Sequence, residues 1–505
     1  MFEHLVALPI LLPMLAGVIL LMPPCGKNVQ VRRVVSVCLS ALTLAICIGL
    51  LYQVTTAEPI VYAVGNWQAP FGIVLVADPL AVILASLTSF LGLVCALYSV
   101  SGDDEKGSFF HPLLHFLILG VNGAFLTGDA FNLFVFFEVL LIASYSLLMH
   151  AADKHTTRAA LQYVIMNLVG SAVFLIALGI LYGVTGTLNM ADMAVKVAAL
   201  TGDDVYLAKI GGLLLLVVFA LKAALLPLHL WLPSTYASAT PVVGALFAIM
   251  TKVGVYSMMR VYTLIFGEGA GELSHMAQHW LWGLAIATIV VGAIGVLASQ
   301  DLRRLAANLV IVSVGTLVAL VAVQTKEATS AAIFYMVHST LVSAALFLLA
   351  DLIARQRGKV LDRITAGRGV NQERILGIAF LIAGLTVIGM PPFSGFIGKL
   401  WLLDATFDAE HAAVFWPVYL LASFALLVAL AKAGATVFWQ RPQKDVAVIE
   451  TEDASSNQLV AVYLLVACSP LLVIFAGYFT ELSEVAAGWL HNQDAMKSLV
   501  LGGRS

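Results

Sequence analysis

Charge is what this chain has least of. Asp, Glu, Lys and Arg make up 11% of its 505 residues, where a soluble globular domain carries roughly 25%. Cysteine is scarce as well. The five present, Cys25, Cys38, Cys47, Cys95 and Cys468, are scattered, with no CxxC pair and no metal spacing. Thiol redox chemistry, iron–sulfur clusters and structural zinc therefore have no support. No GxGxxG and no Walker-type loop is present, so no nucleotide site is visible. The net charge of -3 points away from a nucleic-acid partner. No basic segment precedes the first apolar run, which reads as a retained span rather than a cleaved signal.

What is present is apolar sequence, 61% of the chain. A helix needs about 20 apolar residues to cross a bilayer. Fourteen stretches qualify: 4–23, 34–53, 72–100, 112–128, 131–150, 159–184, 208–229, 240–262, 278–300, 302–323, 329–354, 375–400, 412–439 and 458–480. The expected fold is an all-α integral membrane protein. Orientation follows from lysine and arginine in the connections. Odd-numbered connections hold sixteen: Lys27, Arg32, Arg33, Lys106, Lys154, Arg158, Arg303, Arg304, Arg355, Arg357, Lys359, Arg363, Arg368, Arg374, Arg441 and Lys444. Even-numbered ones hold four: Lys196, Lys209, Arg260 and Lys326. This places odd connections in the cytoplasm and both termini outside.

Against that background a few ionisable residues stand out. Lys222, Lys252, Lys399 and Lys432 fall inside expected spans. Glu138 lies in the middle of "FNLFVFFEVLLIASY", and His338 within "AAIFYMVHSTLVSAALFLLAD". An ionisable group at the bilayer centre costs at least about 2.5–3.5 kcal/mol. A lysine near a span end escapes this by snorkelling, which fits Lys432 better than the others. Glu138 and Lys222 are expected to pair. A carboxyl group alone in hydrocarbon keeps its proton and an amine alone releases it, whereas neighbours keep each other charged. At about 4 Å and an effective dielectric near 20, the attraction is about 4 kcal/mol. A buried pair is weak evidence for stability, so the pair reads as a proton switch.

Prolines accompany these lysines. In "FALKAALLPLHLWLP" (219–233), Pro227 follows Lys222 by five positions, with His229 beyond it. In "GMPPFSGFIGKLWLL" (389–403), Pro391 and Pro392 precede Lys399. Proline removes a backbone donor and frees a carbonyl one turn back. Such backbone is tolerated at membrane depth only inside protein or beside water, so a hydrated cavity is expected at each break. Lys222 and Lys252 are 30 residues apart, Lys399 and Lys432 are 33 apart. The two pairs suggest two five-helix units of opposite orientation, a common transporter build. The expected organisation is 1–111 for the first three helices, 112–262 and 278–439 for the two units with broken seventh and twelfth helices, and 440–505 for a cytoplasmic loop, a last helix and a tail. The tenth span has no acid matching Glu138.

Five stretches carry a family resemblance: "LTGDAFNLFVFFEVLLIASYSLL", "LYGVTGTLNMADMA", "ALKAALLPLHLWLPSTYASATPVVGALFAIMTKVGVYSMMRVYTLIF", "SQDLRRLAANLVIVSVGTL" and "GMPPFSGFIGKLWLL". Over roughly residues 70 to 440 the chain resembles the antiporter-like, proton-translocating subunits shared by respiratory complex I and Mrp (Mnh, Pha) cation/proton antiporters. Within that superfamily it is most similar to D-type Mrp subunits. Ser234 and Thr235 follow "WLP" where complex I relatives carry an aspartate, and Lys399 stands where one complex I class has glutamate. The A-type subunit is much longer.

The resemblance implies a proton-translocating subunit of a Na+/H+ antiporter in a bacterial inner membrane, not an enzyme. It assigns proton translocation to Glu138, Lys222, Lys252, His338 and Lys399. His229 and Lys432 are accessory candidates; Lys432 matches no family motif. The implied partners are other membrane subunits (A, B, C, E, F and G types), protons, sodium handled by the complex, and lipid. No cofactor and no metal are implied. The alternative is a proton-pumping subunit of a complex I or membrane-bound hydrogenase type machine. A non-transporting scaffold leaves the mid-membrane charges unexplained.

Overall fold

The computed structural model describes residues 3–107, 109–150, 154–407, 412–440 and 452–502. Arg441 and Lys444, used above for orientation, lie outside the described residues. α1 (Leu8–Leu21) and α2 (Val29–Thr56) precede an antiparallel hairpin of β1 (Ile60–Ala63) and β2 (Val74–Ala77), registered Ile60 to Ala77 and Ala63 to Val74. Then come α3 (Pro79–Ser99), α4 (Phe110–Leu126), α5 (Ala130–Met149) and α6 (Lys154–Thr185). A short α7 (Met190–Ala198) leads to α8 (Asp203–Ala223), α9 (Trp231–Ser238) and α10 (Pro241–Leu264). α11 (Gln278–Ala298), α12 (Leu302–Val323) and α13 (Lys326–Gln356) follow, then α14 (Glu373–Ile388), α15 (Ser394–Asp404) and α16 (Ala412–Gly434). α17 (Ser456–Ile474), α18 (Ala476–His491) and α19 (Gln493–Leu501) close the described chain.

Twelve helices among the described residues are long and apolar enough to cross a membrane, and α4 is a shorter apolar helix. Asn28, Asp78, Asp129, Asp301, Thr325 and Ser455 each cap a helix start with a side-chain oxygen. These caps satisfy amide groups that have no partner inside the helix. The expected span 72–100 begins in β2 rather than in helix, because Asp78 and Pro79 start α3 only there. Four apolar residues of strand cannot be told from helix by composition alone.

The core lies in α10, α13 and α12, whose most apolar stretches are 100%, 94% and 89% buried. A helix this enclosed by other helices can hold polar side chains away from lipid. The chain breaks helical geometry twice in the regions where prolines stand. α8 stops at Ala223 and α9 starts at Trp231, with Ala224 in the left-handed conformation (φ 61°). α14 stops at Ile388 and α15 starts at Ser394, with Gly389 at φ 82°.

Contacts between connections gather them into two groups at the ends of the helices. At one end, Arg33 of α2 binds Asp104 from the α3–α4 connection, and Arg355 of α13 binds Asp103 from the same connection. At the other end, Leu75 bridges Thr127, Asp129 bridges Asn189, and Gln493 binds the Thr263 carbonyl. Arg260, counted above as a connection residue, instead lies inside α10, buried and paired with Asp78 at 2.5 Å.

Candidate functional site

Glu138 projects from α5 between the exposed residues Val135 and Ile142 and is half-buried. Its carboxylate accepts a short hydrogen bond from the Ser171 hydroxyl of α6. One turn earlier on α6, the Asn167 amide donates to the Tyr163 carbonyl (2.8 Å). That leaves Asn167 Oδ1 to accept from Lys222 Nζ at 3.1 Å. Lys222, 5% exposed in the last turn of α8, also lies 5.7 Å over the Phe137 ring. The expected direct pair is thus corrected. No carboxylate lies within ion-pair distance of Lys222 among the described residues. α6 packs against both α5 and α8 and inserts Asn167 and Ser171 between the charges. Glu138 remains the charge that acts on Lys222, at longer range.

Two backbone groups beside Lys222 are bonded by side chains. Trp231 Nε1 donates to the Leu221 carbonyl (3.1 Å), and the Leu226 amide donates to Thr288 Oγ1 (2.9 Å). Pro227 and His229 both lie in this interruption, and buried His229 Nδ1 has no partner.

Lys252 is fully buried on α10 and donates to Ser313 Oγ of α12 at 3.0 Å. It belongs to the same layer as Lys222: a Cβ on Gly254 would lie 2.7 Å from the Ala223 backbone nitrogen. His338, on α13, is 3% exposed, and its charged neighbours are Lys399 and Lys252. Its Nδ1 faces Ser394 Oγ at 2.9 Å, and its ring lies 5.5 Å from that of Tyr335.

Lys399 closes the series. Its ammonium donates to the Ile388 carbonyl and to Ser423 Oγ, both at 2.9 Å, and lies 5.6 Å over the Tyr419 ring. Ile388 is the last residue of α14, so the lysine caps a helix end that Gly389, Pro391 and Pro392 interrupt. A cation at a helix C-terminus is favoured by the partial negative charge there. Lys432 does not join. It is exposed in the last turn of α16 and has no partner among the described residues. Snorkelling accounts for it, since a long stem reaches the bundle edge without needing a polar partner.

The bonded pairs are thus Glu138 with Ser171, Lys222 with Asn167, Lys252 with Ser313 and His338 with Ser394, and Lys399 shares α15 with Ser394. The charged members were visible in the sequence. The serines and the asparagine were not, because small polar residues in apolar helices more often bond their own backbone. A second network was also missed. Arg33 makes two 2.7 Å bonds to Asp104, and Asp104 also meets His111 (3.2 Å). His111 and His115 share Ser36 at 2.9 and 3.2 Å. Burial works against ionisation of Asp104, but Arg33 and His111 prevail and hold its carboxyl well below the usual range. Among the described residues no three His, Cys, Asp or Glu side chains converge as a metal site.

A many-helix bundle carrying buried lysines, a glutamate and a histidine beside two helix interruptions is the build of an ion-translocating membrane subunit. Residues 127–430 match the family described as NADH:quinone oxidoreductase/Mrp antiporter, TM, and the chain belongs to that family. It is 40% identical over 471 residues to the D-type subunit of a probable K(+)/H(+) antiporter of Rhizobium meliloti, covering 86% of this chain and 87% of the relative. It is 38% identical to the D-type subunit of the Na(+)/H(+) antiporter of Bacillus subtilis, with the same coverages. Among solved structures it is similar to a chain of the Mrp complex from Dietzia sp. DQ12-45-1b (TM-score 0.89, 26% identity, 99% of this chain and 100% of that one). A chain of respiratory complex I from Thermus thermophilus shares the fold (TM-score 0.79, 24% identity, 97% and 99% covered).

Proposed function

We propose that the chain is a proton-translocating, D-type subunit of a multisubunit monovalent cation/proton antiporter. In this reading protons pass along the polar series from Glu138 to Lys399. The observation that carries it is the series itself: five ionisable side chains on five helices, each bonded to a neutral polar group. Neutral partners suit relay groups. A lysine held by an amide or hydroxyl keeps a bond whether or not it carries its proton, whereas a direct carboxylate partner favours the charged form alone.

We read α4 as a crossing, and α14 and α15 as one broken crossing, which gives fourteen. The two five-helix units then correspond as α4–α10 and α11–α16. In the first, Asn167 meets Lys222 on the broken span; in the second, His338 meets Ser394 on the broken span. Odd connections face the cytoplasm of a bacterial inner membrane, and both termini face outward. The chain performs no covalent chemistry and works with the other membrane subunits of its complex. The relatives' names divide between potassium and sodium, so the cation is set by the assembly.

The test uses everted vesicles of an antiporter-deficient host expressing the whole complex, with a pH-sensitive dye and added Na+, K+ or Li+. Dye recovery on cation addition supports the reading. Equal recovery from this subunit alone, or undiminished exchange with Lys222, Lys252 and Lys399 replaced together, refutes it.

A further inference from the structure

Ser469 lies on α17, outside both five-helix units, yet its hydroxyl is the hub of a buried polar cluster. Thr386 Oγ1 of α14 donates to Ser469 Oγ at 2.9 Å, and the Ser394 amide donates to it at 3.1 Å. Ser394 Oγ lies 3.0 Å away, and beyond it, at 2.9 Å, is His338 Nδ1. All four side chains are buried. Gly395 permits the approach, because a Cβ there would collide with the Thr386 carbonyl oxygen. A cavity of about 10 Å³, room for a single water, is lined by these four polar residues among apolar ones such as Leu341, Ala383 and Leu465.

Proton counting gives the cluster a direction. A serine hydroxyl has one hydrogen to give and two acceptor positions. Ser469 Oγ accepts from Thr386 and from the Ser394 amide, so both acceptor positions are filled. Its own hydrogen must point to Ser394 Oγ. Ser394, having accepted, keeps one hydrogen to give, and His338 Nδ1 at 2.9 Å is in position to take it. A nitrogen that accepts carries no proton, so the neutral imidazole holds its hydrogen on Nε2.

We infer that Ser469 is a positioning residue for His338: it orients the Thr386–Ser469–Ser394 hydroxyl chain so that Nδ1 is the proton-accepting nitrogen, and this chain is a branch through which cavity water exchanges protons with the series. When one proton passes, Ser394 gives its hydrogen to Nδ1 and takes that of Ser469. Ser469 takes that of Thr386, and Thr386 takes one from a protonated water in the cavity, which is left as neutral water. One positive charge ends on the imidazole, and no other bond changes. The charged and titratable groups facing that imidazole are Lys252, Lys399 and Tyr335.

This inference rests on His338 belonging to the relay, and the experiment separates the two. Ser469→Ala, Ser469→Thr, Thr386→Val and His338→Ala are compared in the whole complex, with exchange normalised to assembled complex by pull-down of the partner subunits. Ser469→Ala and Thr386→Val are expected to slow exchange about tenfold or more and to displace its pH profile, while Ser469→Thr restores most of the rate. If Ser469→Ala only lowers the amount of assembled complex, leaving rate per complex and profile unchanged, the residue merely packs α17 and the inference fails. A wild-type rate in both Ser469→Ala and Thr386→Val, with His338→Ala inactive, refutes the chain alone. A fully active His338→Ala removes the relay reading on which the chain depends.

Discussion

Asn167→Asp exchanges an amide for a carboxylate of the same shape, 3.1 Å from Lys222 Nζ. In the wild type this contact is a hydrogen bond to a neutral acceptor, and Lys222 is 5% exposed. In the variant it becomes an ion pair. At that separation and an effective dielectric near 20, the attraction is about 5 kcal/mol. Partial relaxation still leaves about 3 kcal/mol, on the order of a hundredfold in the equilibrium for proton release. The ammonium is then held charged, and release inward becomes the slow step. The fold should tolerate the change, since volume is conserved and the new charge has a partner, although the bond from the Asn167 amide to the Tyr163 carbonyl is lost. Everted vesicles carrying Asn167→Asp are expected to contain normal amounts of complex but to exchange at least tenfold more slowly at neutral pH, with partial recovery as pH rises. Asn167→Ala removes the acceptor without adding charge and should show no such recovery. Wild-type exchange by Asn167→Asp from pH 7 to 9 would mean that proton release by Lys222 is not on the path.

Three further outcomes are expected. Glu138→Ala should abolish exchange while leaving expression intact, because Ser171 still bonds the Asn167 carbonyl; full rescue of a salt-sensitive host by this variant contradicts the role given to Glu138. Lys222→Arg should assemble and yet fail, since a guanidinium keeps its proton; wild-type exchange would show that fixed positive charge suffices there. Asp104→Asn should destabilise the subunit by about 3 kcal/mol, since it breaks a buried pair, read as a lower melting temperature in detergent. Because the folded Asp104 carboxyl is depressed, its stabilisation is complete above the unfolded value near pH 4 and is lost only as pH falls through the lower folded value. The wild-type to Asp104→Asn difference should therefore stay constant from pH 6 to 9, and a difference that vanishes within that range contradicts the ion-pair assignment.

Several things about this protein follow from composition and order alone. Scarce charge and long apolar runs require helices, since backbone groups in hydrocarbon have no other partners within their own segment. Each ionisable residue left in those runs stands out because its cost demands a purpose, which is how Glu138, Lys222, Lys252, His338 and Lys399 became visible without coordinates. Proline stands in both interruptions, Pro227 in one and Pro391 and Pro392 in the other, since it removes a backbone donor. Partner choice was not legible. Helical periodicity says which face a residue occupies but not which helix covers it, so Glu138 and Lys222 looked like a pair until α6 was found between them. Lys252 and Lys432 looked equivalent by spacing, yet one is enclosed by the core and the other faces outward. Ser469 carries no signal in sequence. It matters only because tertiary packing brings α13, α14, α15 and α17 to one point, where a hydroxyl with both acceptor positions filled must give its hydrogen in a single direction.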